Sequence, residues 1–279
     1  MNYAPQIISY LSSSDEISEV FLAPNTFPLE RKNGRLVKCL DVVLTNEDVR
    51  DTLIALRSYS STPISHLGKE GSFSFSLHKV GRFRVVYVTQ RGSYVISIVK
   101  TPFDIPKLED LCENYQNVIK EVNRIFEDLT SCLVIVTGKS SIKVSTFSYS
   151  LLQYVCFNLT KVVFVLEKPL NYLLKHGISL AIQREIGVDV ESLEEGLRDV
   201  VLINPDILCL GFREFFDKKE VDQIIKIMEM GTLVILNLPY VSESNILAVP
   251  DELKSFLKRI IVVEPLKERG ILKIEFKEI

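Results

Sequence analysis

The sequence of 279 residues has no long apolar run, because Lys161 and Glu167 interrupt its most hydrophobic region. A helix needs roughly 18 or more consecutive apolar residues to cross a bilayer, so the sequence predicts no membrane span. Residues 1–14 have neither a basic start nor a long apolar stretch, which argues against a signal peptide. We therefore expect a cytoplasmic protein.

Cysteine and histidine are too sparse and too scattered to predict a metal site. The five cysteines form no CxxC pair, and none of the three histidines lies at a zinc-site spacing from them. The histidines also fit no Ser-His-Asp arrangement. All the cysteines except Cys112 lie in apolar runs, so we expect reduced, buried thiols. The residues concerned are Cys39, Cys112, Cys132, Cys156, Cys209, His66, His78 and His176.

An excess of charge of one sign is also lacking, since 33 basic and 36 acidic side chains give a net charge of −3. Neither residues 1–105 nor the remainder is basic enough to hold a nucleic-acid backbone by its overall field, so no nucleic-acid partner is predicted. The chain is 47% apolar and 25% charged, which is typical of a globular protein and excludes a disordered one. A chain of this length has room for about two domains.

Residues 1–105 have the pattern of a small α+β domain. Asn33-Gly34 is a strong hairpin signal, and Thr45 is a suitable N-cap for a helix over 46–57. Apolar residues alternate with serines over 73–77, which predicts a sheet with one buried face and one wet face. Strands are predicted over 19–24, 73–78, 82–90 and 94–100, with a hairpin over 27–39.

After residue 105 the pattern changes to short apolar strands separated by helices. The segment 101–108 contains two prolines and no periodicity, so it predicts a linker between a first domain, 1–105, and a second, 109–279. Short, fully apolar strands with intervening helices are typical of a mainly parallel sheet covered on both faces. The predicted strands are 133–136, 162–166, 178–182, 207–210 and 233–238, with a closing hairpin from 260–263 and 271–276. The predicted helices are 114–128, one ending near 156, 192–200 and 218–230.

The best candidate for a ligand site follows the first of these strands, because ligands bind such sheets where a strand leads into a helix. A phosphate loop, GxxxxGK[ST], needs its second glycine to bend the backbone and its lysine to reach the β and γ phosphates. With Gly138 as the first glycine, Lys143 stands at the second glycine and Val144 at the lysine. Only Ser145 then matches. The spelling Gly138-Lys139-Ser140 is misleading, since that register puts the loop inside the strand, and a polar turn without a ligand is the alternative.

Several short motifs occur in order along both halves. In the first half they are 33–36 (NGRL), 44–49 (LTNEDV), 73–76 (FSFS), 81–85 (GRFRV) and 90–92 (QRG). In the second half they are 101–108 (TPFDIPKL), 133–138 (LVIVTG), 183–187 (QREIG) and 205–211 (PDILCLG). Together these motifs resemble those of the PilT-like pilus-retraction ATPases, within the type II/IV secretion ATPase superfamily. The resemblance covers residues 14–279.

This resemblance implies an α/β protein with a PAS-like first domain and a RecA-like P-loop core, assembled as a hexamer in the cytoplasm or peripherally at the inner face of the membrane. The resemblance further leads us to expect a second domain shortened at its C-terminus, since the family usually has a helical tail beyond the last hairpin and this sequence ends at Ile279. The implied cofactors, where the family site is retained, are ATP and Mg²⁺. The implied partners are the inner-membrane platform protein of a pilus or secretion system and related ATPase subunits.

The resemblance also implies which residues would bind a nucleotide if the site is retained. Arg82 and Arg84 are two apart on a predicted strand, so both project from one sheet face. Arginines of this run approach the phosphates in the family, whereas the alternative is that they face solvent or bridge domain surfaces. The implied residues are Gly138, Lys139, Ser140, Ser141, Lys143, Ser145 and Thr146, with Arg82, Arg84 and Arg91 of the first domain.

The sequence departs from the family at the positions that carry its chemistry. Val144 replaces the phosphate-loop lysine, Phe212 replaces a glutamate that orients water or binds Mg²⁺, and Pro239 replaces a histidine. Glu167 remains from an acidic motif in which Lys168 has replaced another acid. It is a candidate base or metal ligand, or alternatively one half of an ion pair near Lys168. Because phosphoryl transfer depends on placed charges, these losses predict little or no catalysis.

Three functions follow from this pattern. The departures favour a catalytically degraded homologue, a pseudo-ATPase that acts as a regulatory or structural subunit by binding other proteins. Lys143 or Lys139 carries a flexible ammonium group that would replace the missing cation, which gives an atypical but active hexameric motor as the first alternative. A nucleotide sensor that binds without turnover is the second.

Overall fold

The computed structural model of the chain describes residues 1–13, 18–32, 35–60, 67–101, 103–211, 216–239, 249–266 and 270–278. The chain divides into two units, Met1–Asp104 and Ile105–Ile279. No helix within the described ranges is long and apolar enough to cross a membrane.

An antiparallel sheet of six strands forms the first unit, and two helices pack on one of its faces. Its elements are α1 (Ala4–Ser12), β1 (Ser18–Leu22), β2 (Leu29–Lys32), β3 (Arg35–Lys38), α2 (Asn46–Arg57), β4 (Glu70–Leu77), β5 (Gly81–Gln90) and β6 (Ser93–Thr101). The strands lie in the order β3-β2-β1-β6-β5-β4. The predicted strands and α2 are confirmed to within a few residues. Helix α1 was not predicted, although Ala4, Ile7 and Leu11 have helical spacing and are buried.

Local sequence signals explain where these elements begin and end. The Asp48 N–H donates to the Thr45 hydroxyl, and the Thr45 N–H donates to the Asp48 carboxylate at 2.8 Å, which completes a capping box at the start of α2. Arg91 and Gly92 form the turn between β5 and β6, with φ of 52° and 80°, as a type I′ hairpin requires. The predicted turn at Asn33-Gly34 lies outside the described residues, although β2 and β3 pair antiparallel beside it.

The prediction of one dry and one wet face on this sheet is wrong in one place. Phe73 and Phe75 are buried on the expected face. Ser74 is buried as well, and it accepts a hydrogen bond from the Arg82 guanidinium at 2.5 Å. A long arginine stem thus covers part of the face that alternation predicted to be wet.

The second unit is a seven-stranded sheet with helices on both faces. Its elements are α3 (Leu108–Leu111), α4 (Tyr115–Asp128), β7 (Leu133–Gly138), α5 (Ser141–Asn158), β8 (Val162–Glu167), β9 (Leu180–Glu185), α6 (Leu193–Ile203), β10 (Ile207–Leu210), α7 (Lys218–Glu229), β11 (Leu233–Pro239), α8 (Asp251–Lys254), β12 (Leu257–Pro265) and β13 (Leu272–Glu278). The strands lie in the order β13-β12-β7-β11-β10-β8-β9. Among the described residues, β12 and β13 pair antiparallel and the other neighbours pair parallel. The short helices α3 and α8 were not predicted, and β9 lies further along the chain than expected.

Side chains of β7 alternate between two cores, because successive residues of a strand point to opposite faces. Val134 and Val136 pack with Val144 and other residues of α4 and α5. Leu133 and Ile135 pack on the opposite face with residues of α6 and α7. The strand is therefore apolar on both faces, which explains its uninterrupted hydrophobic run in the sequence.

We expect Asp217→Ala to lower the free energy of unfolding by about 1 kcal/mol, because it removes the N-cap of α7. The Glu220 N–H donates to the Asp217 carboxylate at 2.8 Å, and the Asp217 N–H donates to the Glu220 carboxylate at 3.0 Å. Urea unfolding followed by circular dichroism measures the loss. Asp222 is exposed on the same helix, so the control Asp222→Ala should change stability by less than about 0.5 kcal/mol. An equal loss in both variants would contradict the capping role.

Candidate functional site

Six parallel strands of the second unit end at one edge of the sheet, and the predicted nucleotide residues of this unit lie at or near this edge. Four of these strands carry the residues discussed below. The last residues of these strands are Gly138 in β7, Glu167 in β8, Leu210 in β10 and Pro239 in β11. Sheets of this kind bind ligands outside the carboxyl ends of their strands. The chemistry of the site therefore depends on the groups gathered here.

Two residues, Lys139 and Ser140, separate β7 from α5. Ser140 caps the helix, since its carbonyl accepts from the Val144 N–H at 3.0 Å and its hydroxyl accepts from the Lys143 N–H. A phosphate loop instead leaves its backbone N–H groups open, so that they surround the phosphates. The amides of Lys143 and Val144 are used by the helix itself. The junction is thus a tight strand-to-helix turn and not an open cradle.

Gly138 has a packing role that requires no ligand. A Cβ atom at this position would lie 2.3 Å from the backbone oxygen of Val263 on the adjacent strand β12. It would also lie 3.1 Å from a methyl group of Val144. A larger residue would push β7 and β12 apart, and glycine in a strand commonly marks such a close approach of two backbones.

Val144, which the resemblance of the motifs places at the family's lysine, is completely buried. It belongs to the core that contains Val134 of β7 and Phe147 of α5. A lysine held in this position would have its ammonium group among apolar side chains, where an unpaired charge is very unfavourable. The side chain at position 144 therefore packs in the core and does not face an open site beside a ligand.

The other predicted residues of the junction divide between surface and interior. Lys139 and Ser141 are exposed, and Lys143 is half-buried. Ser145 is buried, and its hydroxyl has no hydrogen-bond partner among the described residues. Thr146 is buried and donates its hydroxyl to a carbonyl one turn earlier in α5, at 2.8 Å. Solvent thus reaches Lys139, Ser141 and Lys143 but not the two hydroxyls that follow.

Glu167, the acid that remains from the family's motif, is buried and hydrogen-bonded on both carboxylate oxygens. Tyr149 of α5 donates its hydroxyl to Oε2 at 2.5 Å. Asn171, in the segment after β8, donates its backbone N–H to Oε2 at 3.1 Å and its side-chain amide to Oε1 at 2.7 Å. The backbone of Gly211 packs so closely that a Cβ there would lie 2.3 Å from Cγ of Glu167. The carboxylate thus connects α5, β8 and the segment after β8.

Two further hydrogen-bonded groups line the same helix. Ser148 donates its hydroxyl to Oδ1 of Asn237 at 2.7 Å, and the Asn237 amide donates to the Cys209 sulfur at 3.8 Å. The hydroxyls of Thr146 and Tyr172 lie 3.4 Å apart. The polar side chains of α5 are thus paired mainly with strands and segments of the same unit.

The hydrogen-bonding partners in these groups were not predicted from the sequence. They are Tyr149, Asn171, Tyr172, Ser148 and Asn237. One signal was available, because hydroxyl side chains crowd residues 145–150 of a helix that is otherwise apolar. Such a helix needs internal partners once it is buried.

The cysteines contribute no reactive thiolate to the site. Burial raises the pKa of Cys112 to about 12 and that of Cys132 and Cys156 to about 11, and it also raises the pKa of Cys209. Since the thiolate is the reactive form, these thiols are inert near neutral pH. The expectation of burial is wrong for Cys39, which is partly exposed, and Cys112 is buried without lying in an apolar run.

The predicted arginines all belong to the first unit. Arg82 and Arg84 are half-buried on the same face of β5, as their spacing predicts. Arg82 also donates to the Ser76 hydroxyl at 3.2 Å. Arg91 is exposed at the tip of the β5–β6 turn. Their role as nucleotide ligands stays a prediction.

Two of the positions at which the resemblance implies a lost catalytic residue are not fully described. Phe212 lies outside the described residues, and of Pro239 the structure describes the backbone, which pairs with Gly138. The interpretation of both positions therefore stays a prediction. In the described part of the chain, no group of His, Cys, Asp and Glu side chains could hold a metal ion.

Comparison with curated proteins finds relatives among pilus motors, although no family model matches the chain. The chain is 25% identical over 221 residues to the type IV pilus ATPase PilU of Pseudomonas aeruginosa, which covers 79% of this chain and 56% of PilU. It is 26% identical over 211 residues to the type IV pilus retraction ATPase PilT of the same organism, which covers 75% of this chain and 56% of PilT. The chain thus spans little more than half the length of these relatives.

Solved structures show the same fold. The crystal structure of the pilus retraction motor PilT with bound ADP matches with a TM-score of 0.74 and 24% identity, covering 100% of this chain and 83% of that one. This chain is similar in sequence and fold to the PilT-like ATPases of the type II/IV secretion superfamily. The ATPase DotB of Legionella pneumophila matches the PilT-like chain with a TM-score of 0.68 and 15% identity, over 100% of this chain and 82% of DotB. The family resemblance of the motifs is thus confirmed.

In this PilT-like chain we expect Val144→Lys to lower the free energy of unfolding by about 3 kcal/mol and to create no ATP hydrolysis, because the ammonium group would be buried without a partner. Urea unfolding and a phosphate-release assay measure the two effects. Val188 of the same unit is 46% exposed, so the control Val188→Lys should change stability by less than about 0.5 kcal/mol. A stable Val144→Lys variant with ATPase activity would show that this position faces a ligand.

Stability should also fall at high pH because of Tyr172. Burial raises the pKa of Tyr172 from 10.0 to about 12. Its contribution to stability is therefore complete below pH 10 and is lost as the pH rises towards 12, at up to about 1.4 kcal/mol per pH unit. We expect Tyr172→Phe to make the decline over this range shallower, as measured by urea unfolding at a series of pH values. Equal slopes in the two proteins would contradict the assignment.

Proposed function

We propose that this chain is a pseudo-ATPase of the PilT-like family, which acts as a regulatory or structural subunit of a pilus or secretion machine. The observation that carries the proposal is the junction of β7 and α5. Two residues separate strand from helix, and Val144 is buried where the family has its lysine.

The cofactors implied by the family, ATP and Mg²⁺, do not fit the described residues at this junction. The amides of Lys143 and Val144 are directed to Ser140, so they are not open to phosphate oxygens. Transition-state stabilisation in phosphoryl transfer comes almost entirely from placed charges and amides. Removal of one such donor costs roughly 10²- to 10³-fold in rate in other enzymes, and here the lysine and the amide cradle are both missing.

The partners in this proposal follow from the relatives. PilU and PilT are named as type IV pilus ATPases, and the PilT structure matches this chain over its full length. We infer that the chain binds related ATPase subunits, the inner-membrane platform protein, or both, and that a hexamer is its homo-oligomeric form. Its place is then in the cytoplasm, peripherally at the inner face of the membrane.

One observation favours an active enzyme as the second candidate. Lys139 is exposed beside the first turn of α5, and Lys143 is half-buried in that turn. An ammonium group on a flexible stem reaches a phosphate from more than one attachment point. The same residues would serve a sensor that binds nucleotide without turnover, since helix N-termini attract anions.

We expect the full chain to hydrolyse ATP with Mg²⁺ no faster than its Lys139→Ala/Lys143→Ala variant, because neither lysine has an amide cradle to work with. A phosphate-release assay measures the rates, and isothermal titration with ATP and ADP measures binding. Hydrolysis above the double variant would support the atypical motor and overturn the pseudo-ATPase. Heat of binding without hydrolysis would support the sensor, and no heat is expected for the structural subunit.

A further inference from the structure

We propose that Tyr149 and Asn171 take the place of a metal ion at Glu167, so that this carboxylate is a structural anchor which binds no divalent cation. The inference rests on the proposed function, because it concerns an acid that the family resemblance places at the catalytic edge of the sheet.

Both oxygens of the Glu167 carboxylate already accept hydrogen bonds from the chain itself. Oε2 accepts from the Tyr149 hydroxyl and from the Asn171 backbone N–H, and Oε1 accepts from the Asn171 side chain. Neutral donors of this kind stabilise a buried negative charge, and hydrogen bonds to a charged group are stronger than those between neutral groups. Glu167 thus has stabilising partners from its own chain on both oxygens.

The surroundings of Glu167 leave little space for a hydrated metal ion. Glu167 is 4% exposed, and Gly211 approaches its Cγ so closely that a single added carbon would lie 2.3 Å away. The rings of Tyr149 and Tyr172 lie 5.3 Å apart, and both are buried. Mg²⁺ demands an octahedral set of oxygens and usually keeps several waters. An acid enclosed by aromatic rings and backbone has little room for such a hydrated ion.

The hydrogen bonds of Glu167 connect three parts of the second unit. Tyr149 lies in the third turn of α5, Glu167 ends β8, and Asn171 lies in the segment that follows. The bonds therefore hold α5, the helix behind the candidate site, to β8, the next strand along the chain. In this way the position of α5 depends on the chain alone and needs no bound metal or nucleotide.

Mn²⁺ binding by the full chain tests the absence of a metal. Electron paramagnetic resonance measures free Mn²⁺ in the presence of the unmodified chain, of Glu167→Gln, and of Glu191→Gln, a control at an exposed acid. We expect the three proteins to reduce the free Mn²⁺ signal equally. A stronger reduction by the unmodified chain than by Glu167→Gln would overturn the inference, since Glu167 would then be a metal ligand.

A double-mutant cycle tests the anchor. We expect Tyr149→Phe to lower the melting temperature by about 5 °C, since it removes a hydrogen bond to a charged group. The combination with Glu167→Gln should lower it by less than the sum of the single effects, because both changes break the same bond. Tyr154 of the same helix bonds to Asn123 instead, so Tyr154→Phe should be additive with Glu167→Gln. Additivity for Tyr149→Phe as well would overturn the anchor.

If Glu167→Gln does not fold, the effect of Mn²⁺ on the melting temperature of the unmodified chain tests the inference. Its melting temperature should be the same with and without millimolar Mn²⁺, whereas a rise that is lost in Glu167→Asp, which keeps the charge but shortens the side chain by one carbon, would overturn the inference. The outcomes also separate the two proposals. ATP hydrolysis with no Mn²⁺ at Glu167 would overturn the pseudo-ATPase alone, and Mn²⁺ at Glu167 without hydrolysis would overturn the anchor alone.

Discussion

The packing of α5 immediately behind β7 is the contact on which the candidate site depends. Because only two residues separate the helix from the strand, the amides of its third and fourth residues bond to Ser140, and the side chain of the fourth, Val144, packs into the core. Gly138 permits the same packing from the other side, since the Val263 backbone approaches it closely. The strand thus leads into the helix through one tight turn.

The fold of the second unit does not need the residues that the family uses for chemistry. Its two cores are built from side chains of β7 that alternate between the faces of the sheet, and these remain apolar throughout. Burial of apolar surface is the main favourable contribution to folding, whereas charged ligands for a nucleotide add little to it. A chain therefore has the fold of the PilT structure whatever the residues at this junction bind, which is why fold and activity have to be argued separately.

Prediction from sequence was most accurate where the signal is local. Helix α2 was predicted to the residue because Thr45 is a suitable N-cap, and the structure adds Asp48 to complete a capping box. Prediction failed where burial depends on distant partners. Alternation along β4 did not reveal that Arg82 covers Ser74, and nothing near Glu167 in the sequence indicated Tyr149, which is 18 residues away.

The sequence by itself determined the run of parallel strands and the departure of residues 138–145 from GxxxxGK[ST], because these depend on periodicity and on residue type. Tertiary structure alone decided what the replacements do. Whether Val144 faces a ligand or the core, and whether Glu167 is open or enclosed, depends on which side chains of other elements lie beside them. That arrangement is set by long-range packing, which local sequence patterns do not record.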